Sequence, residues 1–175
     1  MADIFVHSSP DDPRARPLIE ELTHEYETRY GDYFGEPSEE MSRYPAALFA
    51  PPDGAFLLLL RDGKAIAGGA FKRYDEQTAE LKRVWTHAPL RRRGLARRVL
   101  AELEEQAARQ GYTRLYLTTG FRQPEAAGLY LTNGYTALFD TSVDPEAHGV
   151  LPFEKDIGDL AVLHGREAQE QRKAG

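Results

Sequence analysis

The 175-residue sequence contains no cysteine. This absence excludes a disulfide framework and a covalent cysteine intermediate, so any group transfer by this chain must be direct or use another nucleophile. No apolar stretch approaches the ~20 residues of a membrane-spanning helix. The first residues, MADIFVHSSP, also lack the charged segment and apolar run of a signal peptide. We therefore expect a cytoplasmic protein that has no membrane partner.

The sequence has fewer basic than acidic residues. Lys and Arg number 22 against 28 Asp and Glu, which gives a formal net charge of -6. Such a molecule repels the phosphates of nucleic acid, so we expect no nucleic-acid partner. A chain of 175 residues that is 41% hydrophobic can bury one core but not the cores of two ordinary domains. We predict one domain over residues 1–156 and a C-terminal tail over 157–175 that could form a helix.

The dipeptide Asp62-Gly63 is the strongest short-range structural signal. It predicts a β-hairpin between strands at residues 55–61 and 64–74, because Asp-Gly suits the left-handed positions of a two-residue turn. The mixture of apolar, polar and β-branched residues at 80–86 predicts a third strand. These three strands are expected to form a meander.

A helix that begins near Arg92 and ends at Gly111 separates this third strand from another at residues 113–118. A strand-helix-strand connection of this length predicts a parallel strand pair with a right-handed crossover. Further elements complete a mixed sheet with helices. They are strands at 3–7, 135–139 and 150–154, helices at 13–30, 38–44 and 125–133, and a tail helix at 160–173 that Gly165 is expected to interrupt.

A short basic loop, Arg91-Arg92-Arg93-Gly94-Leu95-Ala96, lies between a predicted strand and the first turn of a predicted helix. The first turn of a helix has unpaired backbone N–H groups and the positive end of the helix dipole. Gly94 lacks the Cβ that would keep an anion away from them, and arginine forks match phosphate oxygens. The pattern favours a phosphate site. The alternative is a solvated charge run beside a helix-starting glycine.

Two motifs resemble those of the GCN5-related N-acetyltransferases, the GNAT family. Arg91-x-x-Gly94-x-Ala96 after a strand is similar to the family's pyrophosphate loop. Residues 123–135, QPEAAGLYLTNGY, resemble its second motif, in which a helix with a Leu-Tyr pair ends in Gly-Tyr. The resemblance covers about residues 3–155. It implies an α/β (α+β) fold with a mixed, mostly antiparallel sheet, a parallel splayed strand pair and helices on both faces.

The resemblance also implies an acyltransferase that uses acetyl-CoA as co-substrate. No His, Cys or carboxylate cluster in the sequence has the spacing of a metal site, so we expect no metal. The backbone N–H of Val84 would face the thioester oxygen, and that of Thr86 the pantetheine arm. Gln123 stands where the family more often has Asn, and its longer amide could still reach the cofactor. The alternative is a helix-capping role, which Pro124 after it suggests. His87 is interpreted as a loop residue and not a ligand. The cofactor-binding residues expected on this basis are Val84, Trp85, Thr86, Arg91, Arg92, Arg93, Gly94, Leu95, Ala96, Gln123 and Tyr130.

Two residues are candidates for proton transfer. Tyr130 occupies the family's usual general-acid position and would protonate the leaving thiolate; the alternative is a core tyrosine on an amphipathic helix. Glu80, eleven positions before Arg91, stands where the histone-acetylating branch of the family carries its general base. The alternative for Glu80 is a strand residue paired to Lys82 or Arg73 on the solvent face.

The sequence leaves the acceptor less defined. We expect a small molecule with a primary amine, and the alternatives are a protein or peptide acceptor, or a non-catalytic acyl-CoA-binding module. A homodimer is left open. Carboxylates on the first helix and after it are interpreted as attracting a cationic acceptor, against the alternative of an ordinary solvated surface. They are Glu20, Glu21, Glu25, Glu27, Asp32, Glu36, Glu39 and Glu40.

Overall fold

A computed structural model of the chain describes residues 2–174. Met1 and Gly175, the outer ends of the two predicted segments, lie outside the described residues. The strands are β1 (Ile4–His7), β2 (Ala55–Arg61), β3 (Lys64–Arg73), β4 (Thr78–Thr86), β5 (Arg114–Gly120), β6 (Thr136–Ala137) and β7 (Val150–Asp156). The helices are α1 (Arg16–Tyr30), α2 (Pro37–Ser42), α3 (Leu95–Arg109), α4 (Pro124–Thr132) and α5 (Gly158–Ala174). Single 3₁₀ turns lie at Pro13–Ala15, Ala46–Phe49, Ala88–Leu90 and Pro145–Ala147.

The strands form a seven-stranded sheet in the order β1-β2-β3-β4-β5-β7-β6. β2 is antiparallel to both β1 and β3, and β7 is antiparallel to both β5 and β6. β4 and β5 run parallel, because the chain returns through α3 before β5 begins. The predicted class, a mixed and mostly antiparallel sheet with one parallel pair, is confirmed.

The chain divides into two compact units. Within the described residues, the first unit comprises 2–72 and Lys82–Leu100, and the second comprises Arg73–Leu81 and 101–174. The strand β4 and the helix α3 therefore each contribute residues to both units. The predicted boundary between a domain and a tail at residue 156 stays a prediction.

The first unit is organised around β2, whose sequence AFLLLLR is apolar at every position but the last. The hairpin after it turns at Asp62 and Gly63, with φ values of 52° and 78°, as the sequence predicts. α1 packs on this sheet through the buried side chain of Leu18. A Cβ on Gly68 would lie 2.7 Å from Leu57 O and 3.1 Å from Leu18 Cδ1. The glycine thus allows α1 to approach the strands closely.

The second unit is organised around the long antiparallel pairing of β5 with β7. Its register runs from Arg114 opposite Asp156 to Gly120 opposite Val150. Alternate residues of both strands point into one apolar layer, as period-2 patterning requires. Buried members of this layer are Leu115, Leu117, Leu151 and Phe153, joined by Leu103, Tyr130 and Tyr135.

Besides shifts of a few residues at other element ends, three elements differ from their prediction in a way that has a physical reason or changes the element. α3 begins at Leu95 and not near Arg92, because Arg92 and Gly94 have φ values of 66° and 79°, outside the helical region. β6 contains two residues where residues 135–139 were predicted. α5 continues through Gly165 without interruption. A helical glycine costs only about 1 kcal/mol relative to alanine, which the rest of a long helix can offset.

Candidate functional site

The loop after β4 has a backbone shaped for an anion. A 3₁₀ turn follows the strand, with Leu90 N donating to His87 O at 2.9 Å. Arg92 and Gly94 then adopt left-handed φ values of 66° and 79°. Left-handed residues that alternate with right-handed or extended ones turn successive N–H groups toward one side, which is the geometry of an anion-binding nest. A Cβ on Gly94 would meet nothing within 4 Å, so the φ value and not crowding requires glycine there.

The first turn of α3 adds further donors to this loop. The first hydrogen bond of the helix runs from Arg98 N to Gly94 O at 3.2 Å. The N–H groups of Leu95, Ala96 and Arg97 precede that bond and have no partner within the helix. The Leu95 side chain is buried, whereas the predicted phosphate-loop arginines at 91–93 are exposed. The predicted combination of free N–H groups, arginines and glycine is therefore present at one helix start.

Unsatisfied polar atoms mark the strand that leads into this loop. Among the side chains that the structure describes, which exclude those of residues 37 and 38, two buried polar atoms lack a hydrogen-bond partner: Trp85 Nε1 and Thr86 Oγ1. The Trp85 side chain is 2% exposed. Leaving such an atom without a partner costs about 1–3 kcal/mol. Both residues are among the predicted cofactor-binding residues, but neighbouring side chains of a strand point to opposite faces of the sheet. Trp85 packs in the hydrophobic core of the first unit, so the Thr86 hydroxyl is the atom of the two that could serve a ligand on the other face.

Two carboxylates of α1 contact the loop, which the sequence did not indicate. Glu21 accepts hydrogen bonds from His87 Nδ1 at 2.5 Å and from Ala88 N at 3.0 Å. Glu25 Oε1 lies 2.7 Å from the Arg91 guanidinium. Glu21 and Glu25 are four residues apart on one helix and so share a face, which is the signal that could have shown them acting together.

Glu40, another member of the predicted acidic cluster, is also engaged within the first unit. Glu40 Oε2 lies 2.9 Å from Arg43, and Glu40 O accepts a 2.8 Å hydrogen bond from Arg83. Arg83 itself has a left-handed φ of 61° within β4, which is uncommon for a residue with a side chain. The attraction of a cationic acceptor by this cluster stays a prediction.

The second unit holds the predicted general acid. Tyr130 is 6% exposed, and its ring centroid lies 5.4 Å from that of Tyr135 and 5.5 Å from that of Phe153. Tyr135 belongs to the Gly-Tyr ending of the second motif, and its hydroxyl donates to Glu104. This packing fixes the orientation of the Tyr130 ring. Its role as a proton donor stays a prediction.

The predicted base and the predicted amide ligand also lie in the second unit. Glu80 is 8% exposed and lies opposite Tyr116 in the parallel register, so it is not on a solvent-exposed face as its alternative interpretation required. Gln123 stands at the N-cap position of α4, but its side chain does not cap the helix. Its Oε1 instead accepts from Thr119 Oγ1 at 3.2 Å and from Gly120 N at 3.3 Å.

Comparison with known proteins decides the family. The sequence profile of the Acetyltransferase (GNAT) family matches residues 16–135, a segment that includes both motifs. The chain belongs to the GNAT acetyltransferase family. An IAA acetyltransferase of Azospirillum brasilense is 31% identical to this GNAT protein over 133 residues, which are 75% of this chain and 82% of the relative. The protein is therefore an acyltransferase, as the sequence motifs indicated.

Solved structures have the same fold as this GNAT protein. A Klebsiella pneumoniae subsp. pneumoniae protein, assigned as an acyl-CoA N-acyltransferase, is 26% identical with a TM-score of 0.68. The alignment covers 89% of this chain and 97% of that one. The PaiA N-acetyltransferase of Thermoplasma acidophilum, solved in complex with coenzyme A, is 19% identical with a TM-score of 0.63. That alignment covers 89% of this chain and 99% of that one.

Within the described residues, His, Asp and Glu side chains form no group of three that could hold a metal ion. None of the helices between residues 2 and 174 combines the length and the apolar character needed to cross a membrane.

Proposed function

We propose that this protein transfers an acetyl group from acetyl-CoA directly to the primary amine of a small molecule. Membership in the GNAT family supports the acetyl donor. The observation that carries the proposal is the loop with left-handed Arg92 and Gly94 at the start of α3. It supplies backbone donors for a pyrophosphate at the position where the family's phosphate motif occurs.

The loop and the preceding strand would bind acetyl-CoA. The N–H groups at the start of α3 would receive the pyrophosphate, and Arg92 and Arg93 add positive charge from exposed positions. The buried Thr86 hydroxyl, which lacks a partner, is a donor for an oxygen of the pantetheine arm. The backbone N–H of Val84 would stabilise the thioester oxygen as negative charge develops on it, a contribution of about 3 kcal/mol in comparable sites.

Direct transfer requires two proton movements. The amine nitrogen attacks the carbonyl carbon, a C–N bond forms, and the C–S bond breaks with its electron pair left on sulfur. Tyr130 would donate the proton that converts the thiolate into free CoA thiol. Before the attack, the acceptor ammonium must lose a proton, because an alkyl amine has a pKa of about 10.4. Glu80 would accept it, directly or through water.

Release of free thiol measures the reaction without interference from the protein. The chain has no cysteine, so a thiol-reactive dye reports only the CoA produced. The assay should be run with acetyl-CoA against small amines, amino acids, polyamines, aminoglycosides and peptides. We expect turnover with at least one small primary amine and none with its N-acetylated form.

Each other outcome identifies a different function. Turnover with peptides alone would assign a protein or peptide acceptor. Tight binding of acetyl-CoA without turnover on any acceptor would indicate an acyl-CoA-binding module. Absence of CoA binding would remove the proposal as a whole.

A further inference from the structure

Two carboxylates on α1 are joined to the two ends of the 3₁₀ turn that precedes the loop. Glu21 contacts its beginning, through the His87 side chain and the Ala88 backbone. Glu25 contacts its end, through the Arg91 guanidinium. We propose that Glu21 and Glu25 are positioning residues that set the conformation of the phosphate loop and thereby raise the affinity for acetyl-CoA. The inference rests on the proposed function of that loop.

The Glu21 carboxylate makes two hydrogen bonds that fix the start of the turn. One oxygen accepts from Ala88 N at 3.0 Å, a backbone donor at the N-terminus of the turn. The other accepts from His87 Nδ1 at 2.5 Å. An ionised carboxylate has no proton to donate, so Nδ1 carries the hydrogen in this contact. His87 N also donates to Ile66 O at 2.9 Å, which ties the same residue to β3.

The Arg91 side chain closes the turn from the other end. Its Nε donates to Thr86 O at 3.3 Å, and its terminal nitrogen lies 2.7 Å from Glu25 Oε1. Arg91 was predicted to bind phosphate, Glu25 to attract the acceptor and His87 to be a loop residue. In the structure Arg91 is paired with Glu25, and His87 contacts Glu21. The guanidinium of Arg91 acts on the loop backbone, while the backbone N–H groups and Arg92 and Arg93 receive the phosphate.

The helix that carries both carboxylates is itself fixed by the core. Leu18 and Leu22, on the preceding turns of α1, are buried in the hydrophobic cluster of the first unit. Because Glu21 and Glu25 are one helical turn apart, the core-packed face of α1 sets the position of both carboxylates together. The position of the loop therefore depends on the core through α1, in addition to the φ values that its own residues adopt.

We expect these contacts to contribute little to the free energy of unfolding and more to the free energy of CoA binding. The Arg91 and Glu25 side chains are partly exposed, and such ion pairs contribute about 0.2–1 kcal/mol to folding. Loss of a contact that orders a binding loop appears instead in the dissociation constant. We therefore expect Glu21→Gln and Glu25→Gln each to raise the Kd for CoA about three- to ten-fold, the range that 0.7–1.4 kcal/mol represents. The unfolding temperature should change little.

Calorimetric titration with CoA tests the Arg91–Glu25 contact through a double-mutant cycle. If Arg91 acts through Glu25, the double variant Arg91→Gln/Glu25→Gln binds CoA as weakly as either single variant and no more weakly. Additive losses would show that the Arg91 guanidinium contacts the phosphate independently, and would overturn the positioning role of Glu25.

A second comparison tests Glu21 through its histidine partner. His87→Asn retains an N–H donor near the position of Nδ1 and should bind CoA like the wild type. His87→Leu removes the donor and should bind as weakly as Glu21→Gln. Equal affinities for His87→Leu and wild type would overturn this half of the proposal.

Steady-state kinetic constants distinguish a positioning role of Glu21 and Glu25 from a general effect of their charge and from misfolding of the variants. Glu21→Gln and Glu25→Gln should raise KM for acetyl-CoA, while KM for the acceptor and kcat change less than two-fold. Asp11→Asn, which removes the same charge from an exposed position of the first unit, should leave KM for acetyl-CoA unchanged. An equal rise with Asp11→Asn would assign the effect to general electrostatics and overturn the proposal. If Gly94→Val weakens CoA binding but Glu21→Gln and Glu25→Gln do not, only the positioning role is wrong. If none of the three variants weakens CoA binding, the assignment of the loop as the phosphate site is wrong as well.

Discussion

The hydroxyl of Tyr135 donates a 2.8 Å hydrogen bond to the buried carboxylate of Glu104. Lys155 Nζ contacts the other carboxylate oxygen at 3.0 Å and also donates to Asn133 O at 2.9 Å. The pKa of Tyr135 is raised well above its usual value, first by burial and then by the negative charge of Glu104. The end of α4, which carries Tyr130, is thus joined through this network to α3 and β7.

Tyr135→Phe should therefore destabilise the protein without a change in side-chain packing. The substitution leaves one oxygen of a buried carboxylate without its donor, which costs about 1–3 kcal/mol. Urea unfolding should show this loss. Tyr74→Phe is the matched control, because Tyr74 is 53% exposed. Equal stabilities for Tyr135→Phe and wild type would mean that Lys155 alone satisfies Glu104.

Gly94→Val should weaken CoA binding far more than Arg92→Ala. A β-branched residue at a φ of 79° is strained, and left-handed backbone costs a residue with a Cβ about 1–2 kcal/mol. The loop would then leave the conformation that presents its N–H groups, whereas Arg92→Ala removes one exposed charge. Calorimetric titration with CoA compares the two. Equal affinity for Gly94→Val and wild type would remove the phosphate-loop assignment.

Tyr130→Phe should lower kcat by about ten- to a thousand-fold and change CoA affinity little. The ring and its contacts with Tyr135 and Phe153 are kept, but the proton donor is lost. Stopped-flow measurement of the first turnover avoids masking by slow product release. An unchanged chemical step would make Tyr130 a core residue with no catalytic role.

Thr86→Val should stabilise the free protein. The Thr86 hydroxyl is buried without a partner, and valine has nearly the same shape without the polar atom, so we expect a gain of about 1 kcal/mol or more. If the hydroxyl serves acetyl-CoA, the gain should shrink when unfolding is measured with saturating CoA. Thr23→Val is the control, because the Thr23 hydroxyl already donates to Ile19 O at 2.7 Å. A loss of stability in Thr86→Val would show that the hydroxyl has a partner in solution.

Stability should fall in alkaline solution through Tyr26. Burial, with the negative charge of Glu40 as the next cause, raises the pKa of Tyr26 to about 12. An unfolded chain has an ordinary tyrosine pKa of about 10, so above that pH it binds fewer protons than the folded state. The free energy of unfolding therefore decreases between about pH 10 and pH 12, by up to about 1.4 kcal/mol per pH unit for each such proton.

Urea unfolding across this range measures the slope, and Tyr26→Phe should make it shallower. An identical slope in Tyr26→Phe would assign the alkaline transition to other groups.

The sequence predicted well those features that neighbouring residues determine. Asp62-Gly63 identified its hairpin, and the glycine of the phosphate motif occupies a left-handed position at a helix start. Both depend on the φ values of one or two residues, which residue type strongly limits. The pattern of apolar residues also located β2 and β5, because burial imposes a period that the sequence must follow.

Contacts between distant segments were not predictable in the same way. Glu21 and His87 are 66 residues apart, and nothing in either local sequence identifies the other as its partner. The left-handed φ of Arg83 was also missed, because arginine carries no preference for that conformation. Its contacts with Glu40, from a segment 43 residues earlier, accompany this backbone geometry and become visible only in the folded chain.

The left-handed conformations at Arg92 and Gly94 have a kinetic consequence. The backbone of these residues is already ordered when the chain folds. A ligand that binds the loop therefore does not have to order it, and the entropic cost of binding is small. Encounter, and not rearrangement, would then limit association, and the arginines on an otherwise acidic protein would accelerate it for an anionic ligand. The association rate constant should accordingly fall with ionic strength, while the dissociation rate constant stays nearly level.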